Sequence, residues 1–186
     1  MVKLNKIYTR TGDGGSAGLV DGSRISKASL RMTAIGEVDE ANAAVGLAIA
    51  ALGEAQIKQQ LTRIQNELFD LGADVATPGD VEGALRITAD QVAGLEIAID
   101  ELNADLAPLT SFILPSGSLG VSSLHFARTV VRRAERACVR LHEAEPLNLH
   151  LLSYLNRLSD YLFVAARHTA SQEGGDVLWQ PGATRT

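Results

Sequence analysis

From residue 30 onward, apolar side chains recur at every third or fourth position with few interruptions, and no other feature limits the fold so tightly. Ile35, Val38, Val45, Ile49 and Leu52 form one stripe, with polar Asn42 on the same face. A second runs Ile57, Leu61, Ile64, Leu68, Leu71, Val75, and a third Val92, Leu95, Ile99, Leu102, Leu106. A fourth runs Leu119, Phe126, Val130, Ala134, Ala137, Leu141, and a fifth Leu151, Leu155, Leu158, Leu162, Ala165, Thr169. This spacing places one apolar face on each of five helices. The stops fall between them: Gly53, Thr77-Pro78-Gly79-Asp80, Pro115-Ser116-Gly117-Ser118 and Pro146-Leu147-Asn148. Thr88 followed by Gln91 reads as a capping box opening the third helix. Strand-like alternation is nearly absent. The expected fold class is all-α: a five-helix up-and-down bundle, spanning about 31–172 of a single domain over 1–186.

Composition agrees with that fold and narrows the function. With 186 residues and 46% of them hydrophobic, the chain suits one domain with a real core. It has no apolar run near the ~20 residues that span a bilayer. The opening MVKLNKIYTR has lysines but no apolar stretch after them, so neither a secretory signal nor a membrane anchor is expected. A lone cysteine, Cys138, excludes an intrachain disulfide, and a reducing, cytoplasmic setting is expected. The net charge of −5 argues against general nucleic-acid binding. The charge is uneven: residues 1–31 carry six Lys and Arg against two acids, residues 32–127 three against 14, and residues 128–186 eight against six. Two cationic stretches far apart in sequence either build a focused anion site or are what an acidic solvated face leaves elsewhere.

The first ~30 residues cannot hold a helix, because five glycines fall between Gly12 and Gly22. They are expected to drape over the bundle as an irregular glycine-rich loop. Thr9-Arg10-Thr11-Gly12-Asp13-Gly14-Gly15-Ser16 offers hydroxyls, a cation and backbone amides that could wrap polyphosphate, or it is a flexible end. Gly12-x-Gly14-x-x-Ala17 matches a dinucleotide fingerprint in form only, since Gly18 and Gly22 forbid the helix that must follow. Arg128, Arg132 and Glu135 lie at i, i+4 and i+7 on one helical face with Arg136 beside them, so they make either a phosphate clamp or a solvated charged stripe. Glu37-Val38-Asp39-Glu40 is acidic at what reads as an N-terminal turn; it serves the helix dipole, or Asp39 answers an arginine elsewhere. Asn156 is a polar position within the fifth helix. Phe112-Ile113-Leu114-Pro115 either covers a flat apolar ligand or plugs the bundle end. The histidines (125, 142, 150, 168) lack metal spacing, and no nucleophile–base pair is legible. Residues 173–186 read as a tail.

Six stretches, in order, resemble the PduO-type ATP:cob(I)alamin adenosyltransferases: Tyr8-Thr-Arg-Thr-Gly-Asp-Gly-Gly15, Gly36-Glu-Val-Asp-Glu-Ala-Asn42, Ile64-Gln-Asn-Glu-Leu-Phe-Asp-Leu-Gly-Ala-Asp74, Phe112-Ile-Leu-Pro115, Ala127-Arg-Thr-Val-Val-Arg-Arg-Ala-Glu-Arg136 and Tyr154-Leu-Asn-Arg-Leu-Ser-Asp160. The resemblance implies a homotrimer of five-helix bundles with active sites between subunits. It implies transfer of the 5′-deoxyadenosyl group of ATP to cob(I)alamin, with Mg²⁺, releasing triphosphate, and a hand-off to an adenosylcobalamin-dependent enzyme. By the same resemblance Thr9, Arg10, Thr11, Gly12, Ala17, Gly18 and Lys27 bind ATP together with Arg132, Glu135, Arg136 and Asn156. Phe112 displaces the corrin's lower ligand, and Arg128 pairs with Asp39 across the interface. No residue is implied for the metal. Three positions depart from the family pattern: Arg10 stands where Lys is usual, Ala17 where Thr is, and Ser116 where Gly is common. The alternative from another class is a non-catalytic protein that binds and delivers cobalamin or ATP.

Overall fold

The computed structural model describes residues 7–185. Residues 1–6 and Thr186, and with them most of the stretch read for a signal or anchor, lie outside the described residues. The elements run β1 (Ser16–Gly18), β2 (Arg24–Ser26), α1 (Leu30–Ala51), α2 (Ala55–Val75), α3 (Ala89–Asn103), α4 (Leu119–Ala144) and α5 (Leu149–Ser171).

Each helix starts where the sequence supplies an acceptor or a break. Ser29 accepts from the Met32 amide at the start of α1, Ser118 from the Val121 amide at α4, and Asn148 from the His150 amide at α5. The Thr88–Gln91 capping box forms at α3 with both of its bonds. Only α2 begins without a side-chain cap, after Glu54.

Helix α1 packs on α4 and α2, α4 on α5, and α3 on α5. Neighbours in space are therefore not always neighbours in sequence, because α3 leaves α2 and settles on α5. The α1–α4 pair is antiparallel. Arg31 at the start of α1 meets Glu145 just past the end of α4 at 2.7 Å. At the other end, a Cβ on Gly120 would come within 3.1 Å of Leu52 Cδ2 and 3.3 Å of the Ala51 carbonyl oxygen. Ala34, Ala41, Ala44 and Ala48 line the buried face of α1 and let the two backbones approach. Below them, Leu61, Ile64, Leu68, Leu71, Leu155, Leu158 and Leu162 make the centre of the core.

Buried Asp74, near the end of α2, fixes the connection to α3. Its carboxylate accepts from Arg86 Nη1 at 2.6 Å, the Ile87 amide at 2.9 Å and Asn148 Nδ2 at 2.8 Å. Asn148 Nδ2 also donates to the Ile87 carbonyl at 2.7 Å. One carboxylate thus holds the α2–α3 loop and the α4–α5 turn together.

Four expectations change. On α4, Leu119 and Phe126 are exposed, and the core face runs instead through Leu124, Ala127, Val131, Ala134, Cys138 and Leu141. Strict 3/4 spacing through small residues carries that face, and two bulky side chains drew the sequence reading off it. The acidic run at Glu37–Glu40 lies past the second turn of α1, because the helix begins at Leu30. Helix-dipole placement does not account for it. The N-terminal segment is not wholly irregular: β1 and β2 pair antiparallel with Ala17 opposite Ile25. Finally, the segment after α5 is docked, as described below.

Candidate active site

The arginine face of α4 forms as its spacing predicts, and it is open to solvent. Arg132 and Arg136 are exposed, and Arg136 Nη1 donates to the Arg132 carbonyl at 2.9 Å. Asn156 on α5 donates from Nδ2 to Glu135 Oε1 at 3.1 Å, so these two candidates share one site across the α4–α5 contact. Arg133, in the same run, leaves the site. It turns toward α1 and pairs with Glu37 and Glu40. Those two bonds hold its guanidinium protonated above the usual arginine range. The acidic cluster is thereby resolved: two of its members brace α4, and Asp39 stays exposed.

Arg128 has a different environment. Its Nε is buried and has no hydrogen-bond partner, and it makes no ion pair among the described residues. Burial, with a smaller contribution from neighbouring Arg132, lowers its pKa from the ordinary arginine value. Asp39 does not reach it within one chain. Among the described residues of one chain, Asp39 makes no ion pair or hydrogen bond with it.

The glycine loop is built to leave its amides free. Asp13 N–H donates to the Arg10 carbonyl and Gly15 N–H to the Gly12 carbonyl, while Thr11, Gly12 and Gly14 donate to no described residue. Arg10 adopts a left-handed backbone, φ 63°. The Thr9 and Thr11 hydroxyls lie 2.9 Å apart. Lys27 Nζ would sit 3.0 Å from a Cβ on Gly12, so a larger residue there would displace this lysine from the loop. Arg24, which sequence reasoning passed over, ties the hairpin together: its Nη2 donates to the Thr11 carbonyl at 2.7 Å and Ser16 Oγ at 2.8 Å. Ala17 and Gly18 lie on β1. The hairpin turn reaches the bundle at Val20 N–H to the Ala76 carbonyl, 3.3 Å. Among the described residues no hydrogen bond or ion pair joins this loop to Arg132, Glu135, Arg136 or Asn156 of the same chain.

Phe112, on the α3–α4 connection, is 77% exposed and does not plug the bundle. Its loop pairs with the segment after α5. Leu114 N–H donates to the Val177 carbonyl and Trp179 N–H to the Phe112 carbonyl, each at 2.8 Å, around an Ile113–Leu178 bridge.

The sequence profile described as Cobalamin adenosyltransferase matches residues 7–169, which include the glycine loop, the Phe112 loop and the arginine face. The chain belongs to this family. A corrinoid adenosyltransferase of Mycobacterium tuberculosis is 48% identical, with 100% of this chain and 98% of that protein covered. A cobalamin adenosyltransferase of Cupriavidus metallidurans is 49% identical over 96% of each. Among solved structures, a variant PduO-type ATP:corrinoid adenosyltransferase from Lactobacillus reuteri, complexed with cobalamin and ATP, superposes with a TM-score of 0.89. It is 38% identical and covers 94% of this chain and 99% of that one. Five helices and one small hairpin are thus the adenosyltransferase fold.

What the adenosyltransferase site lacks is as informative as what it holds. Cys138 is buried and its thiol is pushed up to about 12, chiefly by burial, so it is no nucleophile at neutral pH. Among the described residues no three His, Cys, Asp or Glu side chains gather to hold a metal. The broad cleft at the opposite end of α4, about 890 Å³, is lined by Arg31 and Arg86, but both guanidiniums are spent on carbonyls and carboxylates of the fold.

Proposed function

We propose that this protein transfers the 5′-deoxyadenosyl group of ATP to cob(I)alamin, giving adenosylcobalamin and inorganic triphosphate. The observation that carries the reading is the exposed α4–α5 site of Arg132, Arg136, Glu135 and Asn156 in a chain of the cobalamin adenosyltransferase family. Cob(I)alamin supplies its own nucleophile: the cobalt electron pair forms the Co–C5′ bond, the C5′–O bond to the α-phosphate breaks, and triphosphate leaves with the electrons of that C–O bond. No general base or nucleophilic side chain is required. The protein's work is to align C5′ with cobalt and to neutralise the leaving group, and alignment of bound reactants alone supplies roughly 7–11 kcal/mol.

Within that reading, Arg132 and Arg136 grip the triphosphate, and Asn156 holds Glu135 in position toward the nucleotide. The free amides of Thr11, Gly12 and Gly14 close over the phosphates with Thr9, Arg10, Lys27, Ala17 and Gly18. Arg at position 10 keeps the charge of the usual lysine with a wider fork, and Ala17 keeps its N–H without the hydroxyl. Among the described residues no group of three His, Cys, Asp or Glu side chains gathers beside these guanidiniums, so the donor set does not fit a resident metal ion. Mg²⁺ arrives on the phosphates of ATP as part of the co-substrate, and no step is assigned to it.

Phe112 displaces the lower ligand of cobalamin without offering a replacement, since an apolar ring donates no lone pair to cobalt. The loop and the arginine face meet between neighbouring protomers of a homotrimer. Two features support this: among the described residues nothing joins them within one chain, and Arg128 and Asp39 each lack a described intrachain partner that the other would supply. The reading extends to a cytoplasmic protein that hands its product to an adenosylcobalamin-dependent enzyme; no helix among the described residues is long and apolar enough to cross a membrane.

The deciding assay mixes protein, MgATP, cobalamin and a reductant under strict anaerobiosis. Adenosylcobalamin and triphosphate should form one for one. Tight binding of both ligands without triphosphate would instead establish the delivery protein.

A further inference from the structure

The segment after α5 is joined to the Phe112 loop by more contacts than a passive tail needs. Two main-chain hydrogen bonds of 2.8 Å flank the Ile113–Leu178 bridge. Ser111 Oγ donates to the Trp179 carbonyl at 2.9 Å. The Phe112 and Trp179 rings lie 6.0 Å apart at 58°, within the tilted range in which aromatic pairs attract. Behind them, Arg167 of α5 is buried and divides its guanidinium between the two partners. Its Nε donates to Asp176 at 3.0 Å, and its Nη2 to the Ala107 carbonyl at 2.8 Å. A single cation therefore anchors the start of the Phe112 loop and the start of the segment that pairs with it.

We propose that Trp179 is the positioning residue for Phe112, and that the 176–179 strand, held by Arg167, sets the one ring pose the reaction uses. This rests on the reading of Phe112 as the group that displaces the lower ligand. The physical need is plain. A phenylalanine that is 77% exposed on an irregular connection has few protein contacts to choose its rotamer. Displacing a ligand from cobalt requires the ring to arrive already placed, because ordering it at that moment would draw on binding energy. Trp179, itself 44% exposed, sets a stiff, tilted ring against Phe112 while most of the Phe112 surface stays open. The strand pairing fixes the loop's backbone, and the indole fixes the side chain.

The test uses the full chain with Trp179→Ala, Trp179→Phe, Asp176→Asn and, as reference, Phe112→Ala. Three quantities are read anaerobically: ATP affinity, the fraction of cob(II)alamin that becomes four-coordinate by electron paramagnetic resonance, and turnover from cob(II)alamin against pre-reduced cob(I)alamin. Trp179→Ala should slow turnover from cob(II)alamin about threefold to tenfold, the worth of one aromatic contact. The four-coordinate fraction should fall with it, while ATP affinity and the cob(I)alamin rate hold. Trp179→Phe should recover most of the loss. Asp176→Asn, which keeps the size of the side chain and an oxygen to accept from Arg167 while leaving Trp179 in place, should reproduce the split if Trp179→Ala folds poorly. The proposal is overturned if Phe112→Ala loses the four-coordinate species while Trp179→Ala and Asp176→Asn keep it, or if they slow both reactions equally. If Phe112→Ala itself keeps the four-coordinate species, the role of Phe112 is wrong and the positioning proposal falls with it.

Discussion

Arg132 reaches solvent from a helix whose opposite face is core, so its guanidinium is available to a ligand and its removal leaves the packing intact. Arg132→Ala should therefore cut turnover by about 10²-fold or more, the usual loss when a donor to a developing anion is deleted. The thermal unfolding midpoint should move by less than a degree or two. A large drop in stability with turnover preserved would show that Arg132 braces the fold. His125 makes a second prediction at this scale. It is buried against Phe163, and its Nδ1 has no hydrogen-bond partner among the described residues. Burial lowers its pKa from 6.5, Arg128 adds to the effect, and Asp176 opposes it. The unfolded chain thus takes up this proton first as pH falls, so the stability it contributes is present above pH 6.5 and is lost as the pH drops below that value. Unfolding midpoints measured between pH 8 and 5 should decline more steeply in the parent than in His125→Gln. Identical slopes would remove His125 from the account. Arg132, Glu135, Arg136 and Asn156 were legible in the sequence because helical spacing puts three of them together and the fourth is polar on an apolar helix. Arg24, Arg133, Arg167 and Trp179 were not, since their partners lie far away in sequence or are main-chain carbonyls, which leave no side-chain pattern.

At the scale of elements, the breaks proved easier to read than the faces. Ser118 and the Thr88–Gln91 box open helices where local chemistry alone dictates it, since each bonds an amide within three residues. The stripe on α4 was misread only at its start, where the exposed Leu119 and Phe126 carried a false period, while Val130, Ala134 and Leu141 of that stripe are buried. The strand pairing of the Phe112 loop with 176–179 was invisible, because three residues on each side give no alternation to detect. The α2–α3 connection makes a testable element-level claim. Asp74 is fully buried and satisfies Arg86, Ile87 and Asn148 at once. Asp74→Ala would strand a cation and two amide donors, and should cost about 3–5 kcal/mol in denaturant unfolding. A loss under about 1 kcal/mol would mean that the loop is held by other contacts.

The whole molecule raises a question that one chain does not answer. Its cationic loop and its arginine face are both present, yet among the described residues no hydrogen bond or ion pair links them, and neither Arg128 nor Asp39 is paired. In the proposed trimer, a neighbouring copy of the chain would supply the missing partner of each at one interface. Reversing either charge alone, Asp39→Arg or Arg128→Asp, should shift sedimentation toward smaller species, and combining the two should restore the assembly in part. The sequence offered this arrangement only through its resemblance to a family, because an interface residue and a solvated one look alike in a single chain. The most direct test of a site shared between protomers mixes two disabled copies. Lys27→Ala spoils only the loop and Arg132→Ala only the arginine face, so each assembly alone should be nearly inactive. Co-expressed, the two chains place an intact loop against an intact Arg132 at some interfaces, and adenosylcobalamin formation should return to about a quarter of the parent rate, as random mixing of two chains across two-chain sites dictates. A mixture no more active than the two variants apart would put both halves of the site within one chain and contradict the account.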